Sequence, residues 1–554
     1  MYERGNKQGM HRIILYIIVL ITLSLLVKRT LDRIPEQGAF QQKASQDARQ
    51  TTVVPGYTDF HDNRPQYKPL IDLSTASVDG DVISREYLFG FSSKQKRDAF
   101  IDLAYERGFR ILDRMNFAHA VRIGFDNESE LKKLLQEGPD PVSQGPNHMV
   151  RIPSDFTQQP AEQTVPYESF GGTALSWLGV EKNNMQWGEG ITVAVLDTGI
   201  IPHSFSMGRS VVHRNMLDPE DTGYNSYGVH GTAVASLIAS NSDMFPGISP
   251  DVDIISVKVL TGDGIGDAFT LAKGIVDAVD HGADVINLSL GSSGDNYLLR
   301  QAVDYAVAHD VAVVAAVGND GVSGITYPAR YEEVIAVTAV DAAGIHLHFS
   351  NKGEEIDLSA PGLDLYIQVG DKQVASFSGT SAAVPFVSGS IAHLLSENPD
   401  ITTLEAASLI VEYTNDTGLP GEDVETGHGI LDTGRVLEKD RKGVYNIALM
   451  KPYVHEGTAD AENITVSVSA QNRGTEMLNA VTVAVETSDS VYENTFHDVA
   501  VNQTVSYDFT IAKPSSQYAD SVSISGTADL NNQKDVYPED NTGFWKITIT
   551  PLNP

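Results

Sequence analysis

The chain has 554 residues, with 73 Asp and Glu against 39 Lys and Arg, a formal net charge of −34 at neutral pH. That length exceeds what one hydrophobic core supports, so several domains are expected. The acidity favours solubility and disfavours a nucleic-acid partner, whose phosphates attract Lys and Arg. There is no cysteine, which excludes disulfides, thiolate metal sites and a cysteine nucleophile.

Near the start, Ile13 to Val27 is an apolar run of about 15 residues. It falls between a signal-peptide core and a full membrane span of about 20 residues. Arg4, Lys7 and Arg12 precede it, and Lys28, Arg29 and Arg33 follow it. No small-x-small cleavage pattern comes after the run, so residues 1–30 are expected to form a signal-anchor that tethers an exported precursor to the membrane. A cleavable signal peptide is the alternative. Residues 31–80, rich in Gln, Ser, Asp and Pro between Gln37 and Tyr67, read as a linker.

A compact pattern fills residues 81–160. Tyr87 to Phe91 reads as a strand, and Phe100, Leu103 and Ala104 share helical spacing. Val121, Ile123 and Phe125 alternate as a half-buried strand does. Asn127 stands three residues before Glu130, a helix-start signature, and Gly138 stops that helix. Met149 to Ile152 closes a βαβαβ order, an α+β unit.

From Ile191 continuous apolar runs of strand length recur: Ile191 to Leu196, Ile254 to Leu260, Val285 to Leu290, Val311 to Val317 and Val334 to Val340. Strands buried on both faces read this way, and parallel sheets require them. Helical patterns at Leu271 to Val279 and Leu298 to Val307 lie between them. The class for residues 161–440 is therefore α/β, a doubly wound and mostly parallel sheet. Over residues 445–554 short alternating strands take over, as in Ile464 to Ser469 and Val481 to Val485, and a β-sandwich is expected.

Open parallel sheets gather their chemistry beyond the carboxyl ends of the strands. There the sequence sets Asp197-Thr198-Gly199, Ser289-Leu290-Gly291 and Gly318-Asn319-Asp320. One helix begins near His230 and another near Ser381. A serine hydroxyl needs a base within hydrogen-bond reach, and the base needs a partner that fixes its tautomer. Ser381, His230 and Asp197 supply that set from three element ends. Pro385 is expected early in its helix, where a missing N–H costs least. His281, His393 and His428 read as surface or helix-end residues.

The segments Val195 to Gly199, His230-Gly231-Thr232 and Gly379 to Pro385 resemble the three signature blocks of the subtilisin family, in that family's order of Asp, His, Ser. The resemblance covers about Val165 to Leu437. It implies a serine endopeptidase in which Ser381 attacks the scissile carbonyl, His230 relays the proton, Asp197 orients His230, and Asn319 donates to the oxyanion. It further implies that Ser289, Leu290 and Gly291 on one side and Gly264 on the other pair with an extended polypeptide substrate. Thr326 is similar in position to a wall of the pocket for the residue before the cut. Residues 81–160 resemble the family's inhibitory prosegment, so self-inhibition and autoprocessing between about Pro153 and Thr164 are expected. The C-terminal unit resembles CARDB-type sandwiches. The family's strong calcium loop is shortened here, keeping Asn241-Ser242-Asp243, and the carboxylate that the family carries after the Asp197 strand is missing, so no cofactor and no metal ligand is expected at that site. A catalytically silent scaffold with the same fold is the alternative. An α/β-hydrolase is excluded, because Gly-x-Ser-x-Gly and the order Ser, Asp, His are both missing.

Overall fold

The computed structural model describes residues 81–153, 167–180, 184–201, 208–218, 228–369, 373–455, 463–512 and 521–548. The expected anchor and linker, residues 1–80, lie outside them. Among the described residues no helix is long and apolar enough to cross a membrane.

The N-terminal domain is built from β1 (Val82–Gly90), α1 (Lys94–Glu106), β2 (Arg110–Met115), β3 (Ala120–Gly124), α2 (Glu128–Glu137) and β4 (Ser143–Arg151). The order is βαββαβ, one strand more than the sequence pattern predicts. The extra strand, β2, is a sheet edge with a register shift between Ile111 and Asp113, which erases the two-residue alternation that marks a strand. Its four strands pair antiparallel in the order β2-β3-β1-β4, the split βαβ arrangement. Alternation divides the sheet's two faces. Phe89 and Val121 point to a core with Phe100, Ile101, Leu131 and Leu134 from the domain's own helices. Leu88, Ala120 and Val150 point the other way, into the core of the central domain.

The central domain holds seven parallel strands: β5 (Thr192–Asp197), β6 (Ser210–Asn215), β7 (Asp253–Lys258), β9 (Val285–Leu288), β10 (Ala312–Ala316), β11 (Ile335–Val340) and β12 (Leu358–Pro361). A short strand, β8 (Ile265–Asp267), and a hairpin of β13 (Leu365–Val369) and β14 (Gln373–Phe377) stand apart from that sheet. The helices are α3 (Ala174–Trp177), α4 (Val229–Ala239), α5 (Ala268–Asp280), α6 (Tyr297–Ala308), α7 (Thr380–Glu397), α8 (Thr403–Glu412) and α9 (Thr433–Leu437). The spatial order is β12-β11-β10-β9-β5-β7-β6. Helices α4 and α7 bury one face of the sheet and α5 and α6 the other, the doubly wound architecture that continuous apolar strands predict. Chain order reverses between β5 and β9, so the topological switch point lies there, and the site follows from it.

The C-terminal domain is a β-sandwich. One sheet contains β15 (Ile447–Leu449), β16 (Tyr453–Val454), β17 (Asn463–Asn472) and β20 (Thr504–Ala512). The other runs β19 (Val491–Val499), β18 (Leu478–Glu486), β21 (Ser521–Leu530), β22 (Thr542–Thr548). Val466, Val468, Val481, Val483 and Ile524 fill the space between them.

Two polar clusters join the domains. Arg122 of β3 bridges Glu86 at 2.7 Å and Asp267 at 2.9 Å, all three side chains being largely buried. Asn147 donates to both carboxylates, and Asp267 also caps α5 through Thr270 N at 3.0 Å. At the other end the buried Arg435 of α9 donates to Thr414 O at 2.6 Å and to Asn472 O of β17 at 3.2 Å.

Candidate active site

β5 ends in Asp197, whose side chain is fully buried. Its Oδ1 accepts the N–H of Thr198 at 2.6 Å. Helix α4 starts directly above, with His230 in its first turn. The approach is close: a Cβ on Gly231 would lie 2.6 Å from Gly199 O and 3.1 Å from Asp197 Oδ1, so only glycine lets the helix this near. His230 Nδ1 therefore sits 3.0 Å from Asp197 Oδ1 and 2.9 Å from Oδ2. An ionised carboxylate only accepts, so Nδ1 carries the proton and Nε2 presents its lone pair. Nε2 is buried and has no hydrogen-bond partner. The ring is held on one side by Phe377 of β14, edge-on at 5.4 Å between centroids.

Ser381 occupies the first turn of α7, behind Gly379 at φ 118°. That left-handed backbone turns the chain sharply into the helix and needs glycine. Ser381 Oγ donates to Ser289 O at 3.2 Å, not to His230. Pro385 is not in the first turn of this helix but farther inside it. It cannot donate to the carbonyl four residues back, which is that of Ser381. Ser289 Oγ supplies the donor instead, at 2.9 Å. Asn287 Nδ2 in turn donates to Ser289 Oγ at 3.1 Å, and Ser388 Oγ donates to Asn287 Oδ1 at 3.0 Å.

Asn319 follows β10. Its Oδ1 accepts Thr380 N at 3.0 Å and Thr380 Oγ1 at 2.8 Å. A backbone N–H can only donate, so these bonds fix which end of the amide is oxygen and turn Nδ2 toward Gly379, where an added Cβ would meet it at 2.8 Å.

Two backbone edges flank this centre, and the chain itself fills the space between them. β4 pairs antiparallel with β8, setting Val150 opposite Gly266 and Arg151 opposite Ile265. Ile152 N donates to Gly264 O at 3.0 Å. On the other side Arg151 and Gly291 exchange both backbone bonds at 2.9 Å. Ser289, Leu290 and Gly291 thus face Gly264 across an occupied groove. Beyond it, Gly291, Ser292, Gly318, Asp320 and Thr326 line a cavity together with Arg151 and Pro153. Thr326 is anchored by its hydroxyl on Ala316 O at 3.1 Å. Arg151, Pro153 and Asp320 are among the cavity residues that sequence reasoning missed, with Asp81, Ser292 and Ser293; Asp320 was signalled only by its place beside Asn319.

His393 departs from its expected surface position. It is buried, stacked on Trp187 with ring centroids 3.5 Å apart, and burial pulls its pKa down to about 3. Among the described residues no cluster of three or more His, Asp or Glu is arranged to hold a metal ion.

A serine, a histidine and an aspartate at the switch point of a doubly wound sheet, facing a groove that takes an extended strand, have matches among known proteins. Residues 188–429 match the profile of the subtilase family. The chain is 34% identical over 318 residues to the thermostable alkaline protease of Halalkalibacterium halodurans, covering 56% of this chain and 81% of that protein. The chain belongs to the subtilase family. Subtilisin DY of Bacillus licheniformis is 34% identical over 282 residues, 49% of this chain and 97% of that one. Fervidolysin of Fervidobacterium pennivorans, described as a keratinolytic enzyme related to subtilisin, shares the fold with a TM-score of 0.54 at 19% identity, over 85% of this chain and 92% of its own. As a subtilase the chain is a serine protease.

Proposed function

We propose that this subtilase is an exported endopeptidase made as a self-occluded precursor. In this reading Asp197, His230 and Ser381 form its triad, Asn319 its oxyanion donor, and residues 81–160 its prosegment. The observation that carries the reading is β4, which lies antiparallel between β8 and the Ser289–Gly291 edge, where an extended peptide would bind.

The chemistry follows from the geometry. Rotation of Ser381 about χ1, between staggered wells, takes Oγ from Ser289 O to the waiting Nε2 of His230. Nε2 then accepts the proton as Oγ attacks the carbonyl. Asp197, fixed against Nδ1, stabilises the imidazolium that forms. The negative charge on the carbonyl oxygen falls between Asn319 Nδ2 and the amides that open α7. His230 returns the proton to the leaving amine, and water hydrolyses the acyl-enzyme.

Residues 1–30 serve as the anchor in this scheme and the sandwich, a CARDB-like module over 445–554, as a docked accessory domain. A cut past β4 would part the protease from the anchor while the Arg122 cluster still holds the cleaved domain. A fluorophosphonate probe tests the reading: it is expected to label Ser381 once the N-terminal domain has been removed, and Ser381→Ala is expected to abolish labelling and peptide hydrolysis together. A processed, folded chain that remains unlabelled would refute it and favour a silent scaffold.

A further inference from the structure

The strand that fills the groove lacks a hydrogen-bond donor where the groove meets the nucleophile. Arg151 and Gly291 exchange N–H and C=O bonds in both directions at 2.9 Å, which makes them a hydrogen-bonded pair of an antiparallel ladder. The next such pair lies two residues along each strand, and that register sets Pro153 opposite Ser289. An ordinary residue at that position would donate its N–H to Ser289 O. Proline has no N–H. Ser289 O instead accepts the hydroxyl of Ser381 at 3.2 Å, while His230 Nε2 stays buried without a partner. Independently, Pro153 lines the cavity formed by Gly291, Gly318 and Thr326, which the proposed function gives to the residue before the cut.

The geometry points to Pro153 as both the acyl side of the chain's own scissile bond and a brake on its cleavage. Two effects act together. The missing N–H removes the ladder bond that would steady the Pro153 carbonyl for attack. It also leaves Ser289 O open to hold Ser381 Oγ away from His230. This rests on the precursor reading and adds to it where the cut falls and what slows it. In the cut, a bond forms between Ser381 Oγ and the Pro153 carbonyl carbon, and the bond from that carbon to the nitrogen of Ser154 breaks. The hydroxyl proton passes to Nε2 and then to the departing amine. Water next splits the ester, leaving the Pro153 carboxylate and restoring the Ser381 hydroxyl.

The test is the processing of the full-length chain, followed by gel and by mass spectrometry of the new N-terminus, for the parent, Pro153→Ala, Pro153→Gly and Ser381→Ala. Pro153→Ala is expected to process up to about ten-fold faster, and at least about two-fold, the range that one restored hydrogen bond supplies. Its first product should begin at Ser154. Pro153→Gly, which also carries an N–H, should accelerate as well. Pro153 variants that stay as intact as the parent, or a first cut elsewhere, would overturn the proposal. Ser381→Ala separates the two ideas: if it is processed as fast as the parent, autoprocessing itself fails, whereas a stalled Ser381→Ala with unaccelerated Pro153 variants overturns the brake alone.

Discussion

Ser289 and Ser381 hold each other through two hydrogen bonds, Ser289 Oγ donating to Ser381 O at 2.9 Å and Ser381 Oγ donating to Ser289 O at 3.2 Å. The first repairs the gap that Pro385 makes in α7. The second holds the hydroxyl of the proposed nucleophile on Ser289 O. A single residue at the end of β9 thus supports the helix that presents Ser381 and also sets the resting position of its hydroxyl.

Ser289→Ala should leave the buried Ser381 carbonyl without a donor and cost about 1–3 kcal/mol of stability, the penalty of one unsatisfied buried group. Adding Pro385→Ala returns a helical N–H to that carbonyl, so the double variant should recover part of the loss. Urea unfolding of the four proteins in this cycle measures the coupling. Strictly additive losses would show that the two sites do not share the carbonyl.

Asn319→Ala should lower kcat by about 10²–10³ with little change in KM, since in the proposed mechanism the amide meets charge only in the transition state; the magnitude is carried over from the corresponding donor of subtilisin. Steady-state kinetics on a chromogenic peptide, with the processed enzyme, would show it. A loss confined to KM would place Asn319 in ground-state binding instead.

Arg122→Met should destabilise the unprocessed chain by about 3–5 kcal/mol, because it strands Glu86 and Asp267 as buried, unpaired carboxylates. Burial already holds the Glu86 pKa above the ordinary range despite the neighbouring guanidinium. Denaturant unfolding of the Ser381→Ala background, which the proposed function expects to stay unprocessed, measures the loss. A change below about 1 kcal/mol would mean that water reaches the cluster.

Acid should weaken the fold through His393. Its folded pKa of about 3 lies well below the ordinary value of about 6.5. As pH falls through that window the unfolded chain takes up a proton that the folded chain refuses, so stability drops by up to about 1.4 kcal/mol per pH unit. His346, lowered by burial to about 4, acts in the same direction. Asp357, raised by burial to about 6, acts in the opposite one: the folded chain binds its proton first, and stability rises as pH falls from about 6 to the unfolded value. His393→Phe keeps the ring on Trp187 and removes the titration. Its urea midpoint should fall less between pH 6.5 and pH 4.5 than that of the parent; equal slopes would count against His393.

Arg435→Leu should uncouple the sandwich. The guanidinium is buried, its pKa pulled down to about 10 by burial, and it spans carbonyls of the central domain and of β17. Its loss should cost at least about 3 kcal/mol and split one thermal transition into two. Arg435→Lys should not rescue it, because a single ammonium cannot reproduce the planar fork. An unchanged single transition would argue that the sandwich docks by apolar contact alone.

The doubly wound domain was legible because strands buried on both faces must be mostly apolar along their length, as β5, β7, β9, β10 and β11 are. Edge strands escaped for the converse reason. β2 carries a bulge, and β6, with Arg214 paired to Asp277 at 2.6 Å, mixes polar and apolar residues. Solvent on one side relaxes the pattern.

The residue types of the site were equally legible, since glycine blocks around Asp197, His230 and Ser381 record how closely backbone segments approach. What the sequence alone determined is therefore local: which segments are buried, which turns need glycine, which side chains are candidates for the chemistry. Only the tertiary structure decided that β4 occupies the groove, that Arg151 falls opposite Gly291, that Asp267 meets Arg122, and that His393 is buried. These pairings join residues far apart in the chain. Their register is set by two edges that face each other only after folding, and no periodicity along a single strand encodes the partner across the gap.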